Sequence, residues 1–229
     1  MSFFTSGIFG ERCQPAPSKT LFKFPILGDG CAGKTSYFNR LHNGDEINYK
    51  FEKEYDATRG CNIGKSYYNV GKYDLCAQMY DTAGQECFSG FRDCYTSGSD
   101  GIILMYDASE YKSKQSISTN WMPEIKRIMK DSNMKNIPIA IVGNKNDIVR
   151  KVKKENEYEN FENHAHVGIR TSTLLGLYKD GPIKHFDICV KEDECLFEPI
   201  NWLFEQTLSS GSTNVKQSTK KSVTQMCNK

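Results

Sequence analysis

Residues 28–35 read Gly28-Asp29-Gly30-Cys31-Ala32-Gly33-Lys34-Thr35, a G-x-x-x-x-G-K-[ST] spacing that constrains the fold more than any other feature of the chain. The apolar-rich run 21–27 before it has strand character, and residues 36–41 after it can begin a helix. A strand, a glycine turn and a helix N-terminus gather backbone N–H groups and the helix dipole at one point, which forms a nest for an anion. Gly30 and Gly33 let the backbone from Asp29 through Cys31 and Ala32 to Ser36 approach a phosphate without a Cβ in the way. Lys34 is suited to neutralise β- and γ-phosphates, and the Thr35 hydroxyl to ligate Mg2+. The first ligand implied is a nucleoside triphosphate.

Asp81-Thr82-Ala83-Gly84-Gln85 follows residues 73–80, a mixed apolar run with strand character. Asp81 therefore falls at the carboxyl end of a strand, where a Mg2+ carboxylate belongs in an open α/β sheet. Gly84 allows the backbone to approach a γ-phosphate and donate its N–H, and Gln85 is placed to orient an attacking water. Asn144-Lys145-Asn146-Asp147 comes directly after residues 137–143, whose unbroken apolar pattern suits a strand buried on both faces. A carboxylate there accepts from both N1–H and the exocyclic amino group of guanine, so Asp147 argues for GTP over ATP. Asn144 is expected to tie this loop to the phosphate loop, and the Lys145 stem to cover the base. Asp187-Ile188-Cys189-Val190-Lys191 ends a further strand, where a backbone N–H can donate to the guanine carbonyl oxygen.

Strand-like segments at 66–70, 73–80 and 101–107, before Asn144 and into Asp187 alternate with helical ones after the phosphate loop, around 120–130 and over about 198–208. That alternation predicts an α/β P-loop NTPase fold, a mainly parallel sheet with helices on both faces. A chain of 229 residues suits one domain with extensions. Residues 1–19, with Pro15 and Pro17, read as an irregular leader, residues 20–208 as the folded domain and residues 209–229 as a disordered polar tail. Within the domain, residues 151–184 form an insertion that begins charge-dense and helical and carries loop signals over 168–182. It reads as a solvated, variable loop or as a partner-binding excursion.

Thirty basic residues against 28 acidic ones leave a net charge of only +2, which supplies no field for nucleic acid. Tyr67 with Tyr68, and Trp202 with Phe204, are expected to pack rather than stack on bases. Nine cysteines without a C-x-x-C pair suit reduced thiols in a cytoplasmic or nuclear compartment. The patches Phe3-Phe4 and Ile8-Phe9 lack a basic leader, and no later run approaches about 18 apolar residues, so neither a secretory signal nor a membrane span is expected. Cys227 stands third from the end and fails the C-a-a-X pattern, so prenylation is not expected. His164 and His166 have no matching Cys or carboxylate cluster and read as loop residues.

Taken together the motifs resemble those of the Ras-like small GTPases, and within them the chain is most similar to Ran. The likeness to Ran lies in Phe51-Glu52-Lys53-Glu54-Tyr55-Asp56-Ala57-Thr58, in Gln85-Glu86 with Phe88, Gly90, Arg92-Asp93 and Tyr95, in Asn120-Trp121, and in Arg150-Lys151-Val152-Lys153. It covers about residues 20–208. The resemblance implies that Thr58 closes on Mg2+ and the γ-phosphate, that Phe51 packs on the base, and that the segments around Thr58 and Gln85 are switches read by partners. It also implies a monomeric switch that binds GTP or GDP with Mg2+, hydrolyses GTP slowly, and answers to exchange factors, GTPase activators and effectors, nuclear transport receptors among them. A non-cycling nucleotide-binding adaptor and a Rab-like trafficking GTPase are the alternatives.

The chain departs from the family at several places. Cys189-Val190-Lys191 replaces S-A-K and loses the serine hydroxyl, so nucleotide affinity is expected to weaken. Cys31 stands where Ran has glycine. Residues 45–50 lengthen the approach to the first switch, residues between Asp147 and Asp187 are in excess, and Ran's acidic carboxyl terminus is missing. The nuclear-transport role therefore does not transfer automatically.

Overall fold

The structure, a computed structural model, describes residues 20–43, 58, 60–70, 73–82, 95–132, 136–156, 176, 178–179 and 181–210. Its strands are β1 (Thr20–Gly28), β2 (Cys61–Val70), β3 (Tyr73–Thr82), β4 (Ile102–Asp107), β5 (Ile139–Asn144) and β6 (Ile183–Asp187). The helices are α1 (Lys34–Asn43), α2 (Tyr111–Ser116), α3 (Met122–Asp131), α4 (Asn146–Asn156) and α5 (Glu198–Ser210), with a π turn over Ile117–Trp121 between α2 and α3. The six strands lie in the order β2-β3-β1-β4-β5-β6. Only β2 runs antiparallel to its neighbour; the other four pairings are parallel.

Period-two alternation in the central strands feeds two separate cores. Ile103 and Met105 of β4, with Ala140 and Val142 of β5, face a cluster completed by Tyr37, Phe38 and Leu41 of α1 and Ile200, Leu203 and Phe204 of α5. Ile102, Leu104 and Tyr106, with Ile139 and Ile141, face the opposite cluster under Ile117, Trp121, Met122, Ile125 and Met129. Helices thus cover both faces, as the sequence pattern predicts. Phe204 meets Phe22, Phe24 and Tyr68 at 5.3–5.4 Å between ring centroids. Trp202 lies against Phe186, so these aromatic residues do serve packing.

Three elements differ from the sequence reading. Strand β2 begins at Cys61, not near residue 66, because its whole length pairs with β3 from Cys61↔Thr82 to Val70↔Tyr73; its exposed Asn62 and Ile63 carry no hydrophobic alternation that could reveal this. The helix expected around 120–130 starts at Tyr111 and is interrupted. Ser118 and Thr119 donate their hydroxyls back to the Gln115 carbonyl, a bond that opens the backbone ladder, and Met122 N–H reaches Ile117 O, five residues back. Helix α5 continues to Ser210, past the expected start of the tail at residue 209.

Of the insertion at 151–184, only residues 151–156, 176, 178–179 and 181–184 are among the described residues. Its first six residues complete α4, and Tyr178 near its far end is buried in the second core with its hydroxyl donating to Ile137 O at 2.9 Å. Residues 183 and 184 already belong to β6. Residues 1–19 and 211–229, His164, His166 and Cys227 lie outside the described residues. No helix among the described residues is long and apolar enough to cross a membrane.

The parallel strands end together. Ile26 is level with Asp81, Asp107 with Asn144, and Gly143 with Asp187, so every polar motif residue that follows a strand emerges along one edge of the sheet. Gly28 makes the turn from β1 at φ +141°, and a Cβ there would stand 2.1 Å from the Met105 carbonyl oxygen. Gly28→Ala should therefore force β1 and β4 apart, with an expected loss of at least about 2 kcal/mol and roughly 4–8 °C in Tm, read by calorimetry. An unchanged Tm would show that the close approach is not needed.

Candidate functional site

At the end of β1 the chain turns through Cys31 at φ +61° and Gly33 at φ +89° before α1 begins at Lys34. The Ala32 N–H points back at Asp29 O over 3.4 Å and Tyr37 N–H closes on Gly33 O at 2.9 Å, so the loop curls over the helix start. Lys34 is buried, its ammonium donating to Asp29 O at 2.7 Å across the concave side of the loop. Gly30 and Cys31 are exposed at the tip, and Ser36 lies in the first turn of α1. Cys31 holds a left-handed conformation that costs an L-residue about 1–2 kcal/mol, which is the physical sense of a glycine at that position elsewhere.

Thr35 joins the loop to two other segments. Its hydroxyl donates to Asp81 Oδ2 at 2.8 Å and lies 2.9 Å from the Thr58 hydroxyl. Asn62 adds a bond to the same Asp81 oxygen at 3.2 Å, a contact that nothing in the motif spacing signals. Asp81 is fully buried, and its Oδ1 has no hydrogen-bond partner among the described residues. Burial raises its pKa, against the opposing bonds from Thr35 and Asn62 and the charge of Lys34. A buried carboxylate with an orphaned oxygen, set beside two threonine hydroxyls, is an all-oxygen donor set that fits a hard divalent cation such as Mg2+. The residues present therefore suit the ion that a triphosphate carries.

On the other side of the loop, Asn144 donates from Nδ2 to Ala32 O at 3.1 Å and accepts at Oδ1 from Val190 N–H, also at 3.1 Å. The expected tie to the phosphate loop is present, and it extends to the loop after the last strand. Asp147, buried, accepts from Cys189 Sγ at 3.5 Å and from Lys191 Nζ at 3.3 Å. Burial works against its charge, yet the bonds from Cys189, Lys191 and the Ile148 amide outweigh that and hold its pKa below the ordinary carboxylate value. Lys145 sits at φ +68°, and its ammonium pairs with Asp107 at 2.7 Å, which directs the head group towards the end of β4. In the stretch expected to donate a backbone N–H to the base, Asp187 to Lys191, Cys189 N–H bonds Glu194 O at 3.2 Å and Val190 N–H bonds Asn144 Oδ1 at 3.1 Å. The first of these bonds belongs to a small bridge, Cys189↔Glu194, that folds the chain back on itself.

Several contributors escaped the motif reading. Asn146 donates to both Gly143 O and Ile188 O at 3.0 Å and so braces β5 to the start of the loop after β6. Arg40 of α1 grips Asp193 with a two-bond fork, and Arg150 of α4 pairs with Glu192 and Glu194 at 2.5 and 2.7 Å. These arginines hold a loop in which Asp193 and Cys195 both take positive φ. Arg150 is the one of them that the sequence comparison singled out, as part of a basic run; a signal for Arg40 would have been a basic residue one and a half turns into the helix that follows the phosphate loop. Phe51, Gly84 and Gln85 lie outside the described residues.

The Cys189 thiol is the donor to Asp147 that replaces a serine hydroxyl. Burial, with the Asp147 charge beside it, raises its pKa and keeps it protonated. A hydroxyl is the stronger donor, so Cys189→Ser should slow release of a labelled guanine nucleotide by about two- to tenfold in a stopped-flow chase. Faster release from the serine variant would show that the thiol does not serve Asp147. With this geometry in place, comparison with known protein families adds one finding: the family model described as "Ras family" matches residues 23–225.

Proposed function

The chain belongs to the Ras family and carries its GTP-binding switch domain, and from that premise we propose that it is a Ran-like GTPase that cycles between GTP and GDP states, acting in nucleocytoplasmic transport or intracellular trafficking. The observation that carries this reading is the convergence of Lys34, the Thr35–Asp81 pair and the Asn144–Asp147 loop along one sheet edge. Each serves a different part of the ligand. Lys34 and the amides of the turn take the phosphates, Asp147 takes the N1–H and exocyclic amino group of guanine, and Asn144 holds the two halves in register. Thr35, Thr58 and Asp81 would hold Mg2+, which supplies positive charge between the β- and γ-phosphates.

Hydrolysis in this reading is positioning plus electrostatics. Gln85 orients a water whose oxygen bonds to the γ-phosphorus as the bond to the β–γ bridging oxygen breaks, giving GDP and phosphate, while Lys34 and the Gly84 amide stabilise the charge that develops. Without an activator such sites turn over on the order of 10⁻⁴ to 10⁻² per second, so the output is a conformational state read by effectors. Exchange factors, activators and effectors are the partners proposed, with nuclear transport receptors as the effector class and the cytoplasm and nucleus as the compartment. The resemblance to Ran in the segments around Thr58 and Gln85 supports the effector class.

Two substitutions test the proposal. Asp147→Asn should exchange guanine for xanthine preference, because the amide can donate to the second xanthine carbonyl while its oxygen still accepts from N1–H. The mismatch with guanine leaves buried groups unpaired, so GTP affinity should fall on the order of 10²-fold or more while XTP binding appears in the same titration. Retained GTP affinity would remove Asp147 from the base. Gln85→Leu should leave nucleotide affinity in place and lower single-turnover hydrolysis by at least about tenfold, since only the water-orienting amide is lost. Hydrolysis at the parent rate would favour a nucleotide-binding adaptor that does not cycle.

A further inference from the structure

The second position of the phosphate loop, Asp29, was expected to serve a ligand through its backbone, yet its side chain is committed elsewhere. Asp29 Oδ1 accepts from the Trp121 indole Nε1 at 2.7 Å and from the Ser116 hydroxyl at 2.8 Å. Trp121 and Ser116 are both buried, and Asn120 Nδ2 donates to the Ser116 oxygen at 3.1 Å, leaving that hydroxyl free to point its proton at the carboxylate. The π turn is what makes this arrangement possible. Residues five apart on an α-helix are about 140° apart around the axis, too far to converge on one atom. The i→i+5 bond from Met122 N–H to Ile117 O widens the turn and swings Trp121 round to the side of Ser116.

The same residue's carbonyl lies on the ligand side. Asp29 O accepts from Lys34 Nζ at 2.7 Å and faces Ala32 N–H, so a single residue is held at its side chain by the α2–α3 segment and at its backbone by the phosphate-binding lysine. Two buried donors on one carboxylate oxygen are charge-assisted bonds, the stronger class, and they leave the Asp29 side chain little freedom to rotate. We propose that Asp29 and Trp121 are positioning residues for phosphate binding: their bond orients the Asp29 peptide, through it Lys34, and makes the α2–α3 segment a mechanical part of the nucleotide site. The inference deepens the reading of residues 28–35 as a phosphate loop and rests on it.

The test is a double-substitution cycle on the release of labelled GDP from the full chain with Mg2+. Asp29→Ala should speed release by about tenfold or more, the range of a lost hydrogen bond to a charged group, and Asp29→Asn, which keeps an acceptor oxygen, should recover most of the parent rate. Trp121→Phe keeps the ring in the core and removes only the N–H. It should speed release in the parent background and add nothing in the Asp29→Ala background, because the bond it breaks is already gone. Additive effects of the two substitutions, or a lowered Tm with unchanged GDP release, would reduce the contact to helix packing and overturn the proposal. If Asp29→Ala does not fold, Trp121→Phe alone decides it: faster GDP release at unchanged Tm supports the proposal, and parent-rate release overturns it. A parent protein whose GDP release is insensitive to Lys34→Ala would overturn the phosphate-loop reading itself, a result distinguishable from additivity in the cycle.

Discussion

One side chain links the parts of this site. Asn144, buried at the end of β5, gives its amide to Ala32 O in the phosphate loop and its oxygen to Val190 N–H beyond β6, so the loops after the first, fifth and sixth strands share one set of bonds. The contact leaves no spare room. A Cβ on Gly33 would stand 2.3 Å from Asn144 Nδ2, so the glycine that the phosphate loop needs for its turn is also the glycine that lets Asn144 reach across. Loss of this amide would leave buried backbone groups on two loops unpaired, which costs more than the bonds themselves contribute.

Around that junction the protein treats its two key carboxylates in opposite ways. Asp81 is fully enclosed, accepts at one oxygen and has no partner at the other among the described residues, and burial raises its pKa. Asp147 is buried too, but donors from Cys189, Lys191 and a backbone amide surround it and lower its pKa. The first keeps an oxygen without a partner among the described residues, and the second has donors on both of its oxygens. Arg40 and Arg150 steady the loop after β6 from outside. Their carboxylate partners are well exposed, so they act as local braces on a loop with two left-handed residues and not as contributors to global stability.

The π turn shows how a local defect becomes a long-range contact. Hydroxyl groups at 118 and 119 compete for the Gln115 carbonyl, the helix widens, and Trp121 rotates onto Asp29. Tyr178 makes a comparable contact, since its buried ring and its bond to Ile137 O fix the chain against the second core shortly before β6 begins.

The phosphate loop, the Asp81 strand end, the Asn144–Asp147 loop and the alternation of strands with helices were legible in the chain because each depends on local spacing: glycines where backbone must approach an anion, apolar runs where a strand is buried on both faces, a polar residue where the strand stops. The same locality explains what could not be read. Asn62, Asn146, Arg40 and the side chain of Asp29 act on partners 19 to 153 residues away, or through a shared acceptor, and no spacing rule encodes a meeting of segments brought together only by sheet order and register. Sequence determined which chemical groups are present and on which element each rides. Tertiary structure decided which of them meet, because hydrogen bonds are made over about 3 Å and only the packed sheet, with its strands ending level, brings distant residues within that reach.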